Sequence, residues 1–279
     1  MKKAMIFGMV AVMAAGGAIA QNDVVMVDQM GGSDASEVQA TVEAALVSSH
    51  VWRGQVRNND FVFQPQITIA QYGVSLNIWA NYDMGSNFLG IQGDTSEIDF
   101  SLAYTLPFDL SEVTFDLGLV NYQYPANGTG TKRVGTNTRS TTELFARATV
   151  QSWKQYVIPS YTLFGDIAQA DGVYMLFDIV APYQISDYLW VEGGISAGWG
   201  NTSYNDYYFG DAVNGFSQDE GFNDYNFYGN ASYEIMENLS VSVNLTYTML
   251  AGGSIRDAGK RIYENGEKFY GGVNIAYDF

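Results

Sequence analysis

Ser48 and His50 lie two residues apart, so on an extended strand their side chains share a face, and a hydroxyl beside an imidazole is the start of a hydrolase site. His50 is the only histidine. No nucleophile motif and no orienting acid or amide is recognisable around the pair, so a structural imidazole is the expectation. A second group of chemistry-bearing residues, Asp206, Asp211, Asp219 and Glu220, crowds residues 201–223 among tyrosines and phenylalanines. Calcium or a sugar would suit such oxygens, but the spacing is not that of an EF-hand and an ordinary surface loop is expected. The chain has no cysteine, which excludes disulfides, thiolate metal sites and a lipid-bearing cysteine. With so few acid–base and metal-binding side chains, no enzymatic activity, metal or cofactor is expected.

The carboxylates that remain must be placed by the elements that carry them. Lys2 and Lys3 precede the apolar run Ala4 to Ala15, and Ala18-Ile19-Ala20 is followed by Gln21, the pattern of an export signal cut after Ala20. That run is too short to cross a bilayer as a helix, which takes about 20 apolar residues. Residues 21–40 are polar and acidic and read as a periplasmic lead-in, leaving 41–279 for the folded part. Removing Lys2 and Lys3 from thirteen basic residues leaves eleven against thirty acidic ones, a net charge of −19, which argues against a nucleic-acid partner.

Past Ala20 no stretch of eighteen apolar residues occurs, yet 47% of the chain is hydrophobic and 15% aromatic. The apolar residues alternate with polar ones. Val74, Leu76, Ile78, Ala80 and Tyr82 interleave with Ser75, Asn77, Trp79, Asn81 and Asp83, and Leu239, Val241, Val243, Leu245 and Tyr247 with Ser240, Ser242, Asn244 and Thr246. Twelve such segments emerge. After Leu119 the phase slips onto Val120, Tyr122 and Tyr124, which suggests a bulge. Short connections near 71–73, 107–111, 152–156, 186–188 and 236–238 alternate with long ones near 54–60, 85–95, 125–139, 168–172, 201–223 and 251–266. The expected fold is therefore all-β: a single transmembrane antiparallel up-and-down barrel of 12 strands in the bacterial outer membrane, with both termini periplasmic. A soluble sandwich or lipocalin-like barrel would carry more Lys and Glu on its water-facing side. Aromatics expected at the two interfaces are Tyr104, Trp153, Tyr156, Tyr188, Tyr233 and Tyr277 on one side, and Phe61, Tyr82, Tyr122, Trp199 and Tyr247 on the other.

With lipid outside, Asp99, Asp116, Glu143, Asp178, Glu192 and Glu234 point into a lumen in which Arg147 is the chief cation. Such carboxylates either select cations in an open pore or form a hydrogen-bonded plug with Arg147 and the many hydroxyl and amide side chains. Nine of the eleven basic residues, Arg53, Arg57, Lys132, Arg133, Arg139, Arg256, Lys260, Arg261 and Lys268, fall in or beside long loops. They suggest attraction of lipopolysaccharide phosphates or anionic solutes, or simply a solvated mixed surface. Tyr277 and the terminal Phe279 look like the C-terminal signal read by barrel-insertion machinery.

Val47 to Met84, with Ser48-Ser49-His50-Val51-Trp52-Arg53-Gly54, Gln64-Pro65-Gln66 and Gly73-Val74-Ser75-Leu76-Asn77-Ile78-Trp79, resembles the start of the TorF-type porins. The likeness covers about forty residues. It implies an outer-membrane barrel in which Trp52, Arg53 and Gly54 end the first strand, Gly54 permits a tight turn, and Arg53 reaches a lumen carboxylate such as Asp99 or Glu143. Passive diffusion of small polar solutes or ions is the function expected; a closed structural or lipopolysaccharide-contacting barrel without transport is the alternative. Solute and oligomeric state are not legible.

Overall fold

A computed structural model describes residues 37–85, 92–108, 112–125, 139–210 and 216–279. Both the expected export signal and nearly all of the expected lead-in fall outside these residues. Twelve strands close an antiparallel barrel: β1 (Gln39–Val47), β4 (Val62–Gln71), β5 (Val74–Asp83), β6 (Asp94–Thr105), β7 (Val113–Gln123), β8 (Thr141–Val150), β9 (Ile158–Asp166), β10 (Val173–Ser186), β11 (Leu189–Gly200), β12 (Gly221–Met236), β13 (Leu239–Leu250) and β14 (Glu267–Asp278). Each wall strand pairs with its neighbours in sequence, and β1 closes the ring against both β14 and β4. Two further strands, β2 (His50–Trp52) and β3 (Gln55–Asn58), form a separate hairpin within the first long connection. The only helices among the described residues are α1 (Thr202–Phe209) and α2 (Ser254–Ile262), also in long connections.

The alternation in sequence becomes an inside and an outside because successive residues of a strand point to opposite faces. On β5, Leu76 and Ile78 stand outward and exposed while Ser75, Asn77, Trp79, Asn81 and Asp83 are buried inward. The outer surface carries a continuous band of exposed Ile, Leu, Val and Phe, from Phe63, Ile67 and Ile69 on β4 to Val273 and Ile275 on β14. In water such a surface would be untenable, but against hydrocarbon it is the favourable one. Closure leaves every wall strand paired on both edges, so no backbone edge faces lipid.

Two expectations are corrected by the strand register. Pairing of β7 with β6 and β8 runs without a shift through Tyr122, so there is no bulge after Leu119. Val120 and Tyr122 continue the inward series of Asp116 and Gly118, and both are wholly buried. The apparent slip arose because inward positions near the long-loop end are apolar, since something packs against them there. Tyr122 is thus a lumen residue and not part of an interface girdle. Register shifts occur instead at Asn81/Tyr82, Gly198/Trp199, Gln184/Ser186 and Glu234/Met236.

Candidate functional site

What fills the lumen at the long-loop end is made from three of the long connections. The hairpin β2–β3 turns on Arg53 and Gly54, both with positive φ (46° and 74°), the conformation that a two-residue hairpin turn requires. Glycine is needed at the second position on two counts, because a Cβ there would stand 2.7 Å from Asp224 Cβ and from Leu250 Cδ2. Every residue of β2 and β3 is buried, so the hairpin does not project into solvent but folds into the barrel. Its base is stitched to the wall: Asn58 Nδ2 donates to Asp83 Oδ1 at 2.7 Å, Asn81 donates to the same oxygen at 2.9 Å, and Ser49 Oγ donates to Asn58 O.

At the tip, Arg53 forms a two-pronged ion pair with Glu143, at 2.9 Å from Nη1 to Oε1 and 2.7 Å from Nη2 to Oε2. Tyr122 OH donates to the same carboxylate at 3.0 Å. The guanidinium carbon also stands 4.2–4.5 Å from the ring centres of Tyr174, Phe164 and Trp52. A planar cation satisfied at its edge by a carboxylate and on its faces by aromatic rings is well suited to a dry site. Helix α1 is capped by Asn201, whose side chain accepts from Tyr204 N, and supplies Tyr204 and Tyr208 to the same cluster. Helix α2 buries Ile255, Ala258 and Ile262 on one face, and Tyr263 behind it donates its hydroxyl to Tyr208 O at 2.9 Å. Burial pushes the Tyr263 phenol up to about 12, which keeps it a donor. Strand β11 offers Gly194, Gly198 and Gly200 inward, where a side chain would strike Tyr228, Tyr174 or Tyr204.

Under the opposite face of the hairpin, Val51 and Val56 pack with Ala45, Val47, Val62, Trp79 and Tyr270. His50 is here, 5.7 Å from the Trp79 ring and with Nε2 3.4 Å from Glu97 Oε2. Burial, with Arg57 nearby, holds its pKa down to about 3. Ser48 Oγ accepts from Gly271 N. No hydrolytic arrangement of the pair is formed.

A profile of one protein family, described as MltA-interacting protein MipA, matches residues 44–279. The chain belongs to the MipA family. The TorF-type resemblance of Val47 to Met84 stays a likeness of that stretch. No curated protein sequence matches significantly. Among solved structures, the COG4313 outer membrane channel from Pseudomonas putida F1 is similar with a TM-score of 0.53 and 11% identity, over 92% of this chain and 100% of that one. The NanC porin gives 0.50 and 9%, over 85% and 98%. The KdgM porin gives 0.49 and 10%, over 86% and 99%. What these likenesses share with the MipA-family chain is the barrel.

The lumen carboxylates named from the sequence do not form one ring. Glu143 lies at the stopper, Asp99 is buried on β6 in register with Trp79 and Tyr122, and Asp178 accepts from Tyr228 OH at 2.8 Å near mid-strand. Towards the short-turn end, Asp116 accepts from Thr105 at 2.6 Å in register with Arg147, whose Nε donates to Thr162. Glu192, hydrogen-bonded by Asn230, and Glu234 are half-buried at that end. The basic residues separate as well. Arg53 and Arg57 are buried in the lumen and are not part of an outer patch, because the hairpin folds inward. Lys132 and Arg133 lie outside the described residues. Arg139, Lys260 and Arg261 are exposed, Arg256 pairs with Glu267, and Lys268 donates to Asn59 at 2.8 Å. Trp52, Arg53 and Gly54 do not end the first strand, which stops at Val47, but form the hairpin tip. In the acidic connection, Asp206 accepts from Gln218 N at 3.2 Å within and behind α1, Asp211 lies outside the described residues, and β12 already begins at Gly221. Among the described residues no three His, Asp or Glu side chains converge as a metal site.

Sequence reasoning missed Phe164, Tyr174, Tyr204, Tyr208 and Tyr263. A signal was present: Tyr204, Tyr207, Tyr208 and Phe209 are too many rings for a solvated loop, and Ile255, Ala258 and Ile262 have helical spacing.

Proposed function

We propose that this MipA-family protein is a porin-like channel of the bacterial outer membrane, serving small polar solutes or ions and held shut at its outer mouth by its own loops. In this reading the long-loop end is extracellular, the termini are periplasmic, and residues 1–20 are removed on export. Tyr277 and Phe279, whose rings meet edge to face, serve insertion. The observation that carries the reading is the contrast along the lumen. Its periplasmic half presents half-buried polar side chains such as Glu192, Asn230, Ser232 and Glu234, while its outer half is closed by the buried hairpin and the aromatic cluster on Arg53. A hydrated vestibule under a packed stopper is an arrangement for passage under control.

The experiment compares single-channel currents in planar bilayers. Wild-type protein should be silent or open rarely, and a variant with residues 49–59 replaced by a short Gly-Ser turn should conduct in steady steps. A folded variant as silent as wild type would support the second reading, a barrel without transport. That reading is favoured by how completely Trp52, Arg53, Tyr122 and Tyr204 exclude water, and it fits a family described by its interaction with a partner, MltA.

A further inference from the structure

Arg57 is not held as Arg53 is. Its side chain is about nine-tenths buried (9% exposed), and its guanidinium carbon stands 5.1 Å from the Trp52 ring centre, 5.5 Å from Tyr263 and 5.9 Å from Tyr208. Among the described residues it makes neither a hydrogen bond nor an ion pair, although it carries five N–H donors. The carboxylate with electrostatic reach of it, Glu97, is hydrogen-bonded by the Tyr124 hydroxyl and lies 3.4 Å from Nε2 of the neutral His50. Two more donors lie on the same face of the hairpin. Trp52 and Gln55 are a cross-strand pair, and Arg57 follows Gln55 by two residues. Trp52 Nε1 and Gln55 Nε2 are both buried without a partner among the described residues. Rings alone leave the edge of a guanidinium unsatisfied, and a dehydrated cation beside unpaired N–H groups is costly unless an acceptor completes it.

We propose that the hairpin face carrying Trp52, Gln55 and Arg57 is a binding site for the carboxylate of a small solute, held at the closed mouth of the barrel. A carboxylate matches the planar fork of Arg57 with two parallel hydrogen bonds, and the unpaired N–H groups of Trp52 and Gln55 lie on the same face to complete it. The carboxylates further down, Asp178, Glu192 and Glu234, repel the same ligand, so the site retains an anion at the mouth and does not pass it on. The proposal is independent of whether the barrel conducts, since binding at equilibrium needs no transport.

The test is isothermal titration of the purified, folded protein in detergent micelles with glucuronate, with glucose as the neutral control and inorganic phosphate as the rival oxyanion. Wild type should bind glucuronate saturably and glucose not at all. Arg57→Met should weaken binding about tenfold or more. Arg57→Lys, which keeps the charge inside the rings but loses the fork, should weaken it by a smaller factor, and it remains a readable test if the methionine variant does not fold. Protection from trypsin equal to wild type certifies each variant. No saturable glucuronate binding by wild type, binding of phosphate in its place, or unchanged affinity in folded Arg57→Lys and Arg57→Met would each overturn the proposal. Bilayer currents recorded on the same preparations report on the channel reading separately.

Discussion

Arg53 and Glu143 are 2% and 1% exposed, so each would be an isolated buried charge without the other. Removing one partner of such a pair costs about 3–5 kcal/mol, more than the pair is worth over apolar residues of the same shape. Arg53→Met should therefore lower the unfolding free energy by about that amount, and Arg53→Met with Glu143→Leu should recover most of it. Urea titrations in micelles give the coupling energy, and additive losses would show that the pair is not the keystone of the stopper. His50 gives a second test at this scale. The unfolded imidazole takes up a proton near pH 6.5, whereas the folded one refuses it until about pH 3. Its contribution to stability is complete above pH 6.5 and is lost progressively as pH falls towards 3. His50→Gln should remove that slope while leaving the carboxylates' contribution, so the difference between the two urea-midpoint profiles isolates the one histidine; parallel profiles would refute its neutrality.

At the scale of elements, the hairpin β2–β3 is held by its turn as much as by its pairing. Gly54→Val places a branched side chain at φ 74° against Asp224 and Leu250. It should destabilise the stopper by about 1–3 kcal/mol or more and leave the wall intact, because the wall strands pair without it. Faster amide exchange or proteolysis confined to residues 48–61, with the barrel core protected, would be the expected readout. Exchange that rises uniformly would show instead that hairpin and wall unfold together. Strand β11 makes the converse point: Gly198→Val, directed at Tyr174 OH and Asp224, should expel the tyrosine that covers Arg53.

For the whole molecule, lipid outside and a charged lumen inside imply a sign. In the variant lacking the hairpin, reversal potential under a salt gradient should show cation selectivity. Asp178→Asn with Glu234→Gln should move it towards zero. Anion selectivity would mean that Arg147 and not the carboxylates governs the pore.

The strand number, the alternation of short and long connections and the inside–outside assignment of β5 or β13 were legible in the chain, because a period of two with lipid on one face leaves a pattern that local residue order alone carries. That Arg53 reaches a lumen carboxylate was implied by the TorF-type resemblance of Val47 to Met84 and not by residue order alone. The stopper was not legible. Val120 and Tyr122 read as a slipped strand, and Arg57 as a surface charge, because what makes them interior is the return of loops about 70 to 200 residues away in sequence. Sequence marks which residues tolerate burial; only the closed barrel, by bringing Glu143, Tyr174, Tyr204 and Tyr263 around one hairpin, decides which of them are buried together.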